Sequence, residues 1–425
     1  MNIKKYLATA IGGVAMLSLL AIPALADSLS VNFEPGTYTT GNINGQDGWM
    51  KTGPYDVAVV SNGYGFTSFD SQSLRISNAV TTGAFGDQTF AKPLADSVGE
   101  IDSTEGTYSI GTMQTHFEMQ FDIASTMQTQ QLGLAMSVSP DRGDGSRMSY
   151  LRFEDGTAGI DVFFDDVQGI TSPANFVETP IATGLNRTDT HTIKLTLDTL
   201  DGPSNDIVKV WIDGDLKITG TSWENYYRYD TEASAEQSPR IVKTVIFRTA
   251  GTAVPANLNN GFLFDNFSTA ALTPVMPSVP TFITPTNGAV VTTSALVKVD
   301  WTDSTGTFSP FEYQYQAFSD AGYSIPVYTS GWLTNSEIPT PGTPPGDYYI
   351  RVRARDSEDN ESSWSNNSLN AYKVTVVADP ILIEPPTDKD QCKKGGWESF
   401  NNPAFKNQGS CVSYVVSNEN AGKQD

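Results

Sequence analysis

Four aromatic side chains fall within seven residues in Trp223-Glu224-Asn225-Tyr226-Tyr227-Arg228-Tyr229. A flat ring offers an apolar floor to the C–H face of a sugar, while carboxylate, amide and guanidinium groups beside it take the hydroxyls. Trp223, Tyr226 and Arg228 are therefore candidate ligand-binding residues, joined by Arg147 and Arg152 on either side of Met148-Ser149-Tyr150-Leu151. The competing arrangement has Trp223 and Tyr226 in the core and Arg228 paired with Glu224. The parts of several hydrolases are missing: the two histidines, His116 and His191, are far apart, and neither H-E-x-x-H nor G-x-S-x-G occurs. Each histidine reads as a strand residue. Glu100, Asp102 and Glu105, with Ser103 and Thr104 between them and Gly99 and Gly106 as brackets, read as a solvated acidic loop. Cys392 and Cys411 have no histidine or second cysteine nearby, which speaks against a metal site. In an exported chain they should form a disulfide, closing a loop at a gain of roughly 3 kcal/mol.

These residues need a scaffold, and the chain predicts one made of strands. Thr192-Ile193-Lys194-Leu195-Thr196-Leu197 alternates polar and apolar, and Ile207-Val208-Lys209-Val210-Trp211-Ile212 runs into Asp213-Gly214, a strong hairpin signal. Further strands are expected over 115–123, 132–138, 148–154, 159–164, 243–248 and 262–267. About a dozen short strands in one region imply two packed antiparallel sheets.

At 425 residues the chain is long enough for two or three cores. Lys4 and Lys5, the apolar run from Tyr6 to Leu25 and the closing Ala24-Leu25-Ala26 read as a signal peptide, residues 1–26, cleaved before Asp27. No later segment has the roughly 20 apolar residues of a membrane span, so no membrane insertion is expected after cleavage and the product should be secreted, extracellular or at the cell surface. With 26 basic against 48 acidic residues the formal charge is −22, which argues against nucleic acid as a partner. Most of the excess sits in residues 27–272, with 14 basic and 31 acidic side chains. A Pro-rich linker over 273–279 leads to a unit over 280–378, a second linker over 379–388 and a short module over 389–425.

Asn32-Phe33-Glu34, Gly45-Gln46-Asp47-Gly48-Trp49, the Val210-to-Gly214 hairpin and Phe264-Asp265-Asn266-Phe267 together resemble a concanavalin A-like (laminin G-like) jelly roll of bacterial secreted proteins. Trp301 after Val297-Lys298-Val299-Asp300, the strand Gly346-to-Ala354 and Ser362-Ser363-Trp364-Ser365 resemble a fibronectin type III or related immunoglobulin-like sandwich. The last module, around Cys392, Trp397, Phe400, Phe405, Cys411 and Tyr414, resembles a short cassette found at the C-termini of uncharacterised bacterial secreted proteins. The expected fold class is thus all-β: a large antiparallel jelly-roll sandwich, an immunoglobulin-like sandwich and a small disulfide-closed tail.

The resemblance implies more than a fold. Jelly rolls of this shape often pin their first and last strands with Ca²⁺, and Glu34 and Asp265 occupy the matching positions; a hard cation wants six to eight oxygens. Asp141-Arg142-Gly143-Asp144-Gly145 is a second candidate, unless Arg142 and Arg147 pair its carboxylates. Glu100-to-Glu105 also has the E-x-D-x-x-E spacing of jelly-roll endoglucanases, in which two glutamates flank the scissile bond with an aspartate between them. The leading expectation is a non-catalytic, lectin-like protein for carbohydrate binding and adhesion, with a glycan or cell-surface polysaccharide as partner. The alternatives are a glycoside hydrolase using Glu100, Asp102 and Glu105, or a structural adhesin that contacts protein.

Overall fold

A computed structural model describes residues 27–83, 85–103, 108–233, 240–249 and 251–421. The segment read as a signal peptide, Glu105 and the side chain of Asp102 lie outside the described part. The chain divides into two compact units, one ending at Val275 and one beginning at Met276.

The first unit is a jelly-roll sandwich of two large antiparallel sheets. One sheet runs in the order Asp215–Gly220, Ile207–Ile212, His191–Asp198, His116–Ser125, Phe262–Leu272, Gln72–Ser77, Asp56–Ser61, with Asp27–Val31 also paired to Phe262–Leu272. The other runs Phe176–Leu185, Ile160–Val167, Tyr150–Asp155, Ala135–Asp141, Thr244–Thr249, Gln88–Phe90, Met50–Thr52.

Period-two alternation decides which face is buried. In His116–Ser125, Phe117, Met119, Phe121 and Ile123 are wholly buried and enter the core, while Glu118, Gln120 and Asp122 point the other way. Register brings Met119 opposite Leu195, and Leu195 opposite Val210, so three apolar side chains line up across neighbouring strands. The facing sheet contributes Met136, Val138, Leu151, Phe153, Val162, Phe164 and Phe247. Phe121 meets Phe153, Phe247 and Phe264 with ring centroids 6.0, 6.4 and 5.6 Å away. Truncating so enclosed a ring to alanine costs about 3–5 kcal/mol. At the expected hairpin, Asp213 and Gly214 both have positive φ (55° and 85°), the left-handed pair that a two-residue turn requires.

The second unit contains a smaller two-sheet sandwich. Phe282–Thr284, Lys298–Trp301 and Glu337–Pro339 form one sheet; Ala289–Thr292, Tyr372–Val377, Gly346–Arg355, Glu312–Phe318 and Pro326–Thr329 form the other. Trp301, only 1% exposed, stacks on Tyr315 at 6.0 Å within its core. The tail is closed by the Cys392–Cys411 disulfide and ends in a helix, Gln408–Ala421, which the sequence reading did not foresee. Both cysteines and Val415 are buried, with Trp397, Phe400, Phe405 and Val412 packed on them, and Tyr414 touches Phe405 at 5.4 Å. Among the described residues no helix is long and apolar enough to cross a membrane.

Candidate functional site

The face of the seven-stranded sheet that points away from the core carries Arg152 and Phe163, opposite one another in register, and Ser137 opposite both Arg152 and Arg248. Arg248 alternates with the core residue Phe247, and Ser137 and Ser139 alternate with Met136 and Val138. The loop from Asp141 to Arg147 folds back at the end of its strand, with Asp141 bridged to Arg147. Over this face lies a one-and-a-half-turn helix, Glu224–Tyr229. The amide of Trp223 donates to the Met148 carbonyl (2.8 Å), and its indole Nε1 donates to the Asp165 carbonyl (3.0 Å). Backbone and ring are thereby both fixed to the sheet.

The result is a cleft of about 270 Å³ whose lining includes Phe85, Arg147, Phe176, Trp223 and Tyr226. Tyr150 stacks on Trp223 with centroids 6.0 Å apart and planes 19° from parallel, and Phe176 meets Trp223 edge-on at 4.9 Å and Tyr226 at 5.4 Å. Phe85 is half exposed and Phe176 nearly so, an apolar surface open to solvent on one side. The Arg147 guanidinium lies 4.6 Å from the Phe85 ring centroid and 5.4 Å from that of Tyr150; Arg248 lies 4.9 Å from Phe85.

Several polar atoms around this cleft are buried and have no hydrogen-bond partner among the described residues: Nε and Nη2 of Arg147, Nε of Arg248, Oγ of Ser139, Oδ2 of Asp141 and Oδ1 of Asp165. Atoms of this kind occur elsewhere in the described chain as well, and those beside the cleft are the ones a bound ligand could reach by a small side-chain adjustment. Two carboxyls here are pushed above the usual aspartate range. Burial, with the nearby Asp144 charge, pushes Asp141 up to about 7 against the hydrogen bonds it accepts from Gly143 and Gly145. Burial and the charges of Glu178 and Asp166 push Asp165 up to about 6.

Of the five residues read from sequence as ligand-binding, Trp223, Tyr226 and Arg147 are brought together here, and two are not available to a ligand. Arg152 is paired with Glu178 at 2.7 Å and with Glu154, and lies over Phe163 at 4.0 Å. Arg228 turns away to Glu224 (3.1 Å) and Glu100. Phe85, Tyr150, Phe176 and Arg248 went unnoticed in the sequence. Tyr150 alone had a signal, its place between Arg147 and Arg152.

The reading of Glu100 as part of a solvated loop is corrected. Glu100 follows the short strand Ser97–Gly99, is 0% exposed and is held by Arg240 (2.8 Å) and Arg228. Burial follows from these two cations, because a carboxylate leaves water at tolerable cost only when paired and hydrogen-bonded. Glu224 completes the cluster, accepting from the amides of Asn205 (2.8 Å) and Asp206 (3.0 Å). Glu100, Asp206 and Glu224 do bring carboxylate oxygens within 4.8 Å of one another, but guanidinium, amide and hydroxyl donors already occupy them. The network ties the helix that bears Tyr226, with Trp223 at its N-cap, to the neighbouring strand and turn.

At the other candidate position, Glu34 accepts from the amides of Ser71 and Gln72 (2.9 Å each) and from the Ser71 hydroxyl. Asp265 sits at a register shift in Phe262–Leu272, and burial together with the charges of Glu34, Asp70 and Asp122 pushes its carboxyl up to about 8. The carboxylate charges of Glu34, Asp70 and Asp122 thus crowd Asp265. In the 141–145 segment, by contrast, Arg142 pairs with Asp144 (2.7 Å) and Asp141 caps its own turn, so that segment is an ion-paired loop. His116 and His191 begin strands and pair with Asp198 and Asp213.

No family model and no curated protein matches this chain. Among solved structures it is similar to an endo-β-1,4-glucuronan lyase from the fungus Trichoderma reesei (TM-score 0.31, 14% identity, 55% of this chain and 93% of that one). It is similar also to an alginate lyase of polysaccharide lyase family 7 (0.28, 11%, 59% and 93%) and to an endo-1,3-β-glucanase from Streptomyces sioyaensis (0.28, 13%, 58% and 90%). Likeness at these scores says nothing of activity.

Proposed function

We propose that the protein is an exported polysaccharide-binding protein whose ligand lies along the outward face of the seven-stranded sheet. The supporting observation is the cleft itself: Trp223, Tyr150, Phe176 and Phe85 supply ring faces and edges, and buried polar atoms of Arg147, Ser139 and Asp165 stand around them without partners among the described residues. Rings give area at little entropic cost, and the polar atoms fix orientation. The disulfide fits an oxidising compartment. In this reading the second sandwich is a spacer, and a Ca²⁺ at Glu34 and Asp265 braces the jelly roll. Affinity electrophoresis of the full chain against a panel of soluble polysaccharides tests the proposal: retardation by at least one, abolished in Trp223→Ala, is expected, and free migration through all of them refutes it.

A second reading, cleavage of the bound chain, is favoured by the two carboxyls of raised pKa on the same face. An acid near 7 or 6 can protonate a leaving oxygen at neutral pH, and general acid catalysis works best with such a match. Release of new reducing ends, lost in Asp165→Asn or Asp141→Asn, distinguishes an enzyme from a lectin.

A further inference from the structure

Arg147 and Arg248 are unusual in this unit. Its other arginines are all engaged: Arg75 with Asp56, Arg142 with Asp144, Arg152 with Glu178, Arg187 with Asp155, and Arg228 and Arg240 with Glu100. In a region with 31 acidic and 14 basic side chains, carboxylate partners are plentiful. Yet Arg147, 96% buried by its 4% exposure, makes no ion pair and no hydrogen bond among the described residues, and Arg248 is half-buried in the same condition. Both lie against one ring, that of Phe85, and the charge of Arg248 disfavours that of Arg147. Nearby carboxyls act on them only through space: Asp141 and Asp165 on Arg147 and Asp87 on Arg248, none of them in an ion pair among the described residues, while Asp144 is taken by Arg142 and Glu232 lines the cleft without an ion pair to either arginine. Desolvating a guanidinium beside another costs free energy that a folded protein recovers by binding an anion.

We infer that the saccharide taken by this cleft is anionic, its carboxylate or sulfate ester seated between the guanidinium groups of Arg147 and Arg248 while its ring face rests on the aromatic wall. This rests on the polysaccharide-binding reading above and specifies its ligand class. Planar forked donors match a carboxylate or sulfate in two-point contact, and such charge-assisted hydrogen bonds are the strong ones. Phe85 holds both forks by cation–π contact without consuming their N–H donors.

The test keeps the backbone of the ligand fixed and changes only its charge. The full chain is titrated calorimetrically with polygalacturonate and with its fully methyl-esterified form, and in parallel with a sulfated galactan and its desulfated form. Binding of the charged member of either pair at least about 10-fold tighter than the neutral one is expected, and the pair that responds names the group as carboxylate or sulfate. Arg248→Gln and Arg147→Gln should each weaken that binding about 10- to 100-fold while leaving the neutral member unaffected. Arg248→Gln carries the result if the more buried Arg147 variant fails to fold. Equal binding of charged and neutral forms overturns the anionic inference and leaves the polysaccharide cleft standing; no binding to any of the four overturns the anionic inference, and free migration through the whole electrophoresis panel overturns the polysaccharide reading as well.

Discussion

Replacing Glu100 by Gln is the sharpest test of how the cleft is built. The carboxylate has no exposed surface, while the side chains of Arg240 and Arg228 are 8% and 14% exposed. Glutamine keeps the shape and one acceptor but removes the negative charge that the two guanidinium groups share. Removing one partner of a buried pair typically costs about 3–5 kcal/mol, because the cation left behind has lost both water and counter-charge. For a domain of this size 1 kcal/mol moves Tm by about 2–4 °C, so the jelly roll should melt about 6–20 °C lower. Differential scanning calorimetry of wild type and Glu100→Gln measures this directly, with the tail and second sandwich as internal references. Because the network anchors the helix that bears Tyr226, with Trp223 at its N-cap, any polysaccharide binding should weaken in the same variant. A Tm within 2 °C of wild type would refute the anchoring role and return Glu100 to the list of catalytic candidates.

Four further outcomes are expected. Calcium bound at Glu34 and Asp265 should raise the Tm of the jelly roll, by roughly 2.7 kcal/mol of stability at 100 times Kd, and EDTA should reverse it; a Tm indifferent to both rejects the site. Asp165 has a folded pKa near 6, above the roughly 3.9 of an unfolded aspartate, so its contribution to stability is present below about pH 4 and lost as pH rises through 6. Asp165→Asn should therefore melt higher than wild type at pH 8 and lose that advantage at pH 4, read by thermal melts across pH. Reducing Cys392–Cys411 should cost the tail roughly 3 kcal/mol and open Gln408–Ala421 to protease while the jelly roll stays intact, as mapped by limited proteolysis. Tyr226→Ala should weaken polysaccharide binding with a stability loss well below the about 3–5 kcal/mol of a fully buried ring; large destabilisation with unchanged affinity would make Tyr226 a packing residue only.

What could be read from the chain was local. Ile207–Ile212 appeared over its full length because alternation and the Asp213-Gly214 turn are written in adjacent residues. Phe176–Leu185 was missed because an edge strand with Pro180 inside it, four of its ten residues exposed and none buried, carries no compositional mark of a strand. The same limit governed the site. Trp223 and Tyr226 announced themselves by crowding, but the partners of Glu100 lie 128 and 140 residues away, so its burial had no local signature. Arg248 is one arginine in a strand of ordinary composition, and only the fold discloses that it makes no ion pair among the described residues while Arg152 makes two.

The pairing of Asp27–Val31 with Phe262–Leu272 has a mechanical side. Asp27 lies opposite Ala271 and Val31 opposite Phe267, so the jelly roll begins and ends at the same end of one strand pair. Tension applied through both ends would load these hydrogen bonds one after another, as in opening a zip, rather than all at once in shear. A domain tethered at both ends would yield at low force there, with the rest of the sandwich still closed. Because its ends are neighbours, the same geometry would let the domain be spliced into a loop of another protein, or be permuted and opened elsewhere, at little cost to its fold.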